Sequence, residues 1–219
     1  AEIYSKLIKP EYEKDENIRK HLEYINRLEM SVSYPFLLEV YNDYNTKVIN
    51  KDTFIAVLKL VQNFVFRRFI VGVATNALNK VFMKLYEDIK KDNYLESLQV
   101  SLIKKKGSQR FPRDYELVEE LRVKDMYNVK SKSKNYYLEL LENYNNNEIV
   151  EIENNDKISI EHVFPQNPDA KWKHTLGDEE FVKMKEKVNT IANLSLSGFN
   201  SNLGNKYFIP DLKLPASIV

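Results

Sequence analysis

Apolar residues recur three and four positions apart through most of the first 150 positions, and after that the spacing changes to alternation. In "DTFIAVLKLVQNFVF", Phe54, Val57, Leu58, Val61 and Val65 share one helical face, and Asp52 stands where it would cap the first turn. "PFLLEVYNDY", "NALNKVFMKLYEDIKK" and "YLESLQVSLIKKKG" continue the helical pattern, the last closing on lysines and Gly107 as a helix stop. "RDYELVEELRV" and "KNYYLELLENY" predict two more helices. At ordinary helix lengths this amounts to a bundle of roughly five to seven helices.

The stretch 143–157, "NYNNNEIVEIENNDK", is rich in asparagine and acid and reads as a hairpin or linker. Beyond it "KISIEHVF" alternates like a strand, "DEEFVKMKEKVN" predicts a short helix, "IANLSLSGFN" alternates again, and "SNLGNKYF" offers a helix start. The expected fold is mainly α: a helical domain over 1–150, followed over 151–219 by a small unit whose order suits a ββα arrangement.

Composition narrows the class. Apolar residues at 43% and charged residues at 30% are ordinary for a soluble globular chain. The most apolar window, Phe54 to Ala74, is interrupted by Lys59, Gln62, Arg67 and Arg68 and predicts a buried helix, not a membrane span. At least one of the two arginines is expected to pair inside the domain. The chain has no cysteine, which excludes thiolate metal sites and cysteine nucleophiles and fits a cytoplasmic setting. It carries no signal-peptide pattern and reads as part of a longer protein.

The net charge of +1 gives no global case for nucleic acid, so any such case is local. Residues 156–219 balance eight basic against eight acidic residues, whereas 101–134 hold ten basic and five acidic ones. Lys104, Lys105, Lys106, Arg110 and Arg113 form the densest patch. They are candidate contacts to a phosphate backbone, or simply compensation of a helix C-terminal dipole.

The chain has three histidines. His21, in "ENIRKHLEY", predicts a surface position, and His174, beside Trp172 in "KWKHTLG", predicts a loop histidine flanking a core tryptophan. His162 lies in "SIEHVFPQNPD", next to Glu161 and just before Pro165. Hydrolysis of a phosphodiester needs a base for water and a cation to offset phosphate charge. A neutral imidazole suits the first role and a carboxylate, as a hard ligand for Mg²⁺, the second. Neighbours on a strand face opposite sides, so one segment could serve both roles if the backbone bends there. Downstream, "NTIANLSLSGFNSNLGNKYF" carries asparagines at 189, 193, 200, 202 and 205, able to pin a loop or join a metal shell. Lys206 could meet a phosphate.

"IEHVFPQNP" followed by "IANLSLSGFNSNLGNKYF" resembles the HNH signature in the C-terminal domain of GmrSD-type, modification-dependent restriction enzymes. "PFLLEVYNDY", "FVFRRFIVGVATNALNKVF", "RFPRDYELVEEL" and "YYLELLEN" resemble the helical lead-in of that domain, in order. The resemblance implies a ββα-metal (HNH, His-Me finger) endonuclease or nickase acting on DNA with Mg²⁺ or Mn²⁺, in a phage-defence system, with no organic cofactor and no membrane. It implies that His162 is the general base, Asn193 the asparagine that orients the base's loop, and Glu161 a metal ligand. Asn200 would be a second ligand, with Asn202 as its rival, because the interval from Asn193 to Asn200 is shorter than the family pattern. It further implies an N-terminal nucleotide-hydrolysing domain, on the same or a partner chain. A catalytically degenerate DNA- or partner-binding module, and an RNA-directed nuclease, remain the alternatives.

Overall fold

The computed structural model describes residues 2–198 apart from 147, 148 and 154. The described chain is mainly helical, with nine α-helices and one two-stranded ribbon. It forms two compact units: residues 1–121 with 130–137, and residues 122–129 with 138–219. None of the described helices is long and apolar enough to cross a membrane.

The first unit contains α1 (Glu2–Ile8), α2 (Glu16–Arg27), α3 (Tyr34–Asn45), α4 (Lys51–Val71), α5 (Leu78–Leu85), α6 (Tyr94–Lys104) and α7 (Asp114–Leu121). Helix α4 is its axis. Phe54, Val57, Leu58, Val61, Phe64 and Val65 are buried, and α2, α3, α6 and α7 pack on it. The periodic apolar face explains this, since a helix that is apolar on most sides must be surrounded. The cap of α4 is Asn50, not Asp52: its side chain accepts from the Thr53 N–H at 2.8 Å. The helix stops at Gly72, which takes the left-handed conformation at φ 72° that costs a glycine little. Helix α6 ends at Lys104, and Gly107 instead opens a short 3₁₀ turn.

Two interior polar groups are held by contacts that the sequence pattern does not show, and at least one of the two arginines pairs inside the domain as expected. Arg68 is 1% exposed and meets no carboxylate among the described residues. Its guanidinium donates to the carbonyls of Ala74 at 2.7 Å, Ser108 at 2.8 Å and Arg110 at 3.0 Å, so it clamps the chain after α6. Burial, then the charge of Arg110, lowers its pKa. Arg67 is the arginine that forms an ion pair, with Asp114 at 2.6 Å. His21 is buried, not superficial. Its imidazole lies against Gln62, and burial, reinforced by Lys59, pulls its pKa down to about 4. The charged sequence around it describes the other face of an amphipathic helix.

Helix α8 (Ser131–Glu142) begins in the first unit and ends in the second. The second unit then carries β1 (Ser159–His162), α9 (Ala170–Glu186) and β2 (Leu194–Ser197). The asparagine-rich stretch after α8 is tied down. Asn143 donates to the Val150 carbonyl at 2.8 Å and accepts the Val150 N–H at 2.7 Å, and Glu139 accepts the Ile152 N–H at 3.2 Å. The described part of this stretch contains no strand, and these bonds tie Val150 and Ile152 back to the end of α8.

Phe164, 1% exposed, forms the aromatic core of this unit, with Trp172 at 5.2 Å and Phe181 at 5.7 Å, both edge-on. Helix α9 starts well before the predicted one, capped by Asp169, and breaks at Gly177, where φ is 79°. His174 is therefore an exposed helix residue, not a loop residue. The helix expected after β2 lies outside the described residues, as do Asn200, Asn202 and Lys206.

Candidate active site

Strands β1 and β2 pair antiparallel, with Glu161 opposite Ser195 and His162 opposite Leu194. Directly opposed residues share a face, so Glu161 lies with the serines and His162 with the leucines. The pairing continues regularly past the histidine, because the Val163 N–H donates to the Asn193 carbonyl at 3.0 Å. The backbone does not bend to bring the two side chains onto one side.

Asn193 is 5% exposed and uses every part of its amide. Its Oδ1 accepts the Phe164 N–H at 2.7 Å, while Nδ2 donates to the carbonyls of Phe164 at 2.9 Å and Val188 at 2.7 Å. The residue thereby fixes the chain two positions beyond His162 against the turn that leads into β2.

His162 is half-buried and reachable. Its Nε2 lies 3.1 Å from Asn189 Oδ1, and the Tyr127 ring meets its imidazole edge-on, with centroids 4.4 Å apart. Asn189 Oδ1 also accepts from Gln166 at 3.3 Å, and its Nδ2 donates to Asp125 at 3.2 Å. The Asn189 carbonyl accepts the N–H groups of Met126 at 2.8 Å and Tyr127 at 3.3 Å. Burial alone would raise the pKa of Asp125, but hydrogen bonds from the backbone and side chain of Asn128, from Asn189 and from the Tyr127 N–H outweigh it and hold the carboxyl below its usual value.

Glu161 has the opposite environment. Its Oε1 is buried with no hydrogen-bond partner among the described residues, and burial raises its pKa, with His162 pulling partly the other way. A buried, unanswered carboxylate oxygen is costly in isolation and calls for a cation or a proton. The described residues hold no group of three or more His, Asp or Glu side chains able to bind a metal ion.

Residues 111–214 match the family model of the C-terminal domain of GmrSD restriction endonucleases. Over that stretch the chain is similar to the GmrSD C-terminal domain family. The match takes in the Asp125 turn, both strands and the whole polar cluster around His162. No curated protein and no solved structure matches the chain.

His162, Glu161 and Asn193, the residues the sequence pattern singles out, lie on one ribbon and its entry turn. That pattern misses Asp125, Tyr127 and Gln166, and gives Asn189 no separate role. Asp125 is 64 positions from Asn189 and no spacing rule joins them; the only local hint is "DMYN", an aspartate placed to close a turn on Tyr127 and Asn128.

The basic patch belongs to the first unit and is partly committed internally. Arg110 pairs with Glu116 at 2.5 Å and Lys105 with Asp88 at 3.8 Å. Lys104, Lys106 and Arg113 form no ion pair among the described residues. Lys106 and Arg113 border an open groove of about 390 Å³ with Phe111 and Tyr115.

Proposed function

We propose that the chain is a metal-dependent DNA endonuclease or nickase that hydrolyses phosphodiester bonds in a cytoplasmic restriction system directed against phage. The observation that carries this reading is the reachable imidazole of His162, held by Asn189 beside a loop pinned by Asn193, within a segment similar to a restriction-endonuclease family. In this reading His162 takes a proton from water, and the resulting hydroxide attacks phosphorus in line with the departing 3′ oxygen. Asn193 keeps the base's strand end and loop in register, which limits the orientations His162 samples.

Glu161 Oε1 is the oxygen available to a divalent cation, Mg²⁺ or Mn²⁺, with Asn200 or Asn202 as a second ligand. A single carboxylate and one amide suit Mg²⁺, which keeps several waters and accepts few protein ligands. When bound, the cation supplies charge neutralisation at the phosphate and the leaving oxygen. Lys104, Lys106, Arg113 and Lys206, with Lys105 and Arg110 less available, are the candidate contacts to the DNA backbone. No organic cofactor is needed, and an N-terminal nucleotide-hydrolysing domain on the same or a partner chain would gate cleavage.

A plasmid-nicking assay with Mg²⁺ or Mn²⁺, with and without chelator, tests the reading. Cation-dependent conversion of supercoiled plasmid by the parent, and none by His162→Ala at unchanged fold, is the expected result. Equal cutting by the two proteins would remove His162 as the base.

One observation favours a second reading, a degenerate binding module of the same fold. Glu161 and His162 face opposite sides of a regular ribbon. DNA binding without cleavage under any cation would select it. The same assay on structured RNA separates an RNA-directed nuclease, since no described residue selects against a 2′-hydroxyl.

A further inference from the structure

We propose that Asp125 is a positioning residue that acts through Asn189 to fix which nitrogen of His162 carries the proton, leaving Nδ1 as the basic atom. The catalytic half of this inference rests on the nuclease reading; the tautomer half stands without it.

What each group is able to donate fixes the arrangement. An ionised carboxylate is an acceptor only, so the Asn189 amide must turn its NH₂ toward Asp125, as the 3.2 Å contact requires. This settles the orientation of Asn189 by chemistry, independently of how its oxygen and nitrogen are assigned. Its Oδ1 must then face His162, and Gln166, whose own amide is free to turn, offers Nε2 to the same oxygen at 3.3 Å. An amide oxygen cannot donate, so the 3.1 Å contact exists only if His162 Nε2 bears the hydrogen. In the neutral ring the lone pair is therefore on Nδ1. When Nδ1 takes a proton from water, the water O–H bond breaks, an Nδ1–H bond forms, and the Nε2–H donor to Asn189 is unaffected. The same hydrogen bond serves the ring before and after proton transfer.

Asp125 is built to hold this arrangement. Its Oδ1 accepts the N–H groups of Tyr127 at 3.0 Å and Asn128 at 2.8 Å, and its Oδ2 accepts from the Asn128 side chain at 2.7 Å as well as from Asn189. The Met126 N–H returns to the Asn189 carbonyl. One carboxylate thus orients the amide behind the imidazole and closes the turn that places Tyr127 against the ring.

Asp125→Asn tests the idea. The substituted amide keeps one oxygen for the two backbone donors, so its NH₂ replaces Oδ2 and faces the NH₂ of Asn189. Asn189 turns over to avoid two opposed donors and presents NH₂ to His162. Nε2 must then accept, and the proton moves to Nδ1.

The experiment uses the full chain with ¹⁵N-labelled imidazoles at about pH 8, above the ordinary histidine range near 6.5. The three histidines are assigned with His162→Gln. A neutral imidazole in water already favours Nε2–H, so the decisive readouts are the change on substitution and a water-protected Nε2–H proton signal. The expected result is a protected Nε2–H signal for His162 in the parent, a switch to Nδ1–H in folded Asp125→Asn, and at least about a tenfold loss of cleavage, by analogy with wrong-tautomer variants of catalytic triads. An Nδ1–H parent, or an Asp125→Asn protein that keeps the parent signal, overturns the proposal. Should Asp125→Asn fail to fold, Asn189→Ala decides: loss of the protected signal supports the relay, and its persistence overturns it. A parent that cuts no nucleic acid yet shows the tautomer switch refutes the nuclease reading and leaves the relay standing.

Discussion

Asn193 grips Phe164 from both sides of its backbone: the amide oxygen receives the N–H at 2.7 Å and the amide nitrogen donates to the carbonyl at 2.9 Å. Phe164 in turn anchors Trp172 and Phe181, so one asparagine links the short ribbon to the small aromatic core. The loop after His162 is held by side-chain chemistry because a four-residue strand has few ladder bonds of its own.

Asn193→Ala should therefore destabilise the second unit. It leaves the backbone groups of Phe164 and the Val188 carbonyl without this partner, at about 1–3 kcal/mol for each buried group left unsatisfied. Denaturant unfolding followed by Trp172 fluorescence is the measurement, and a midpoint equal to the parent's would contradict it. Asn193→Asp should fare no better, since it supplies no donor for the two carbonyls.

Glu161→Gln should separate affinity for the cation from fold. The amide keeps the shape and removes the charge, so cation-dependent cleavage should require at least about tenfold more Mg²⁺, the scale of a lost metal contact. Titrating Mg²⁺ in the nicking assay reads this directly, and an unchanged requirement would remove Glu161 as a ligand.

His21 makes the first unit sensitive to acid. Its folded pKa of about 4 lies below the ordinary value near 6.5, so the unfolded chain binds the proton first as pH falls. The associated stability is complete above about pH 6.5 and is lost progressively down to about 4. At about 1.4 kcal/mol per pKa unit and about 2–4 °C per kcal/mol, the melting temperature should drop by several degrees between pH 7 and pH 5. His21→Gln should flatten that part of the profile, and an identical profile in the variant would refute the assignment.

Arg68→Met should cost about 3 kcal/mol or more, because three carbonyls of the chain at 74, 108 and 110 lose their donor together. Hydrogen exchange should rise over 107–113. Arg67→Ala should cost only about 1 kcal/mol or less, as its partner Asp114 is exposed. Reversal of that order would show that the buried guanidinium is not the clamp.

For DNA affinity, Lys104→Ala, Lys106→Ala and Arg113→Ala should each weaken binding without regard to sequence and reduce the salt slope by about 1. Arg110→Ala should do less, since its charge is already directed at Glu116. Fluorescence anisotropy over a salt series is the check.

Apolar periodicity by itself determined the helical first unit. The face of Phe54, Val57, Leu58, Val61 and Val65 has one burial solution, and the alternation around Ile160 and Leu196 likewise predicts strands. An ordered set of short motifs marked His162, Glu161 and Asn193. Tertiary structure alone decided that His21 is interior, that Arg68 clamps carbonyls in place of an acid, and that Asp125 reaches His162 through Asn189. The physical reason is range. Periodicity records which side of an element faces inward, whereas a polar partner is chosen by the fold's closure over tens of residues, and hydrogen bonds leave no period in the chain.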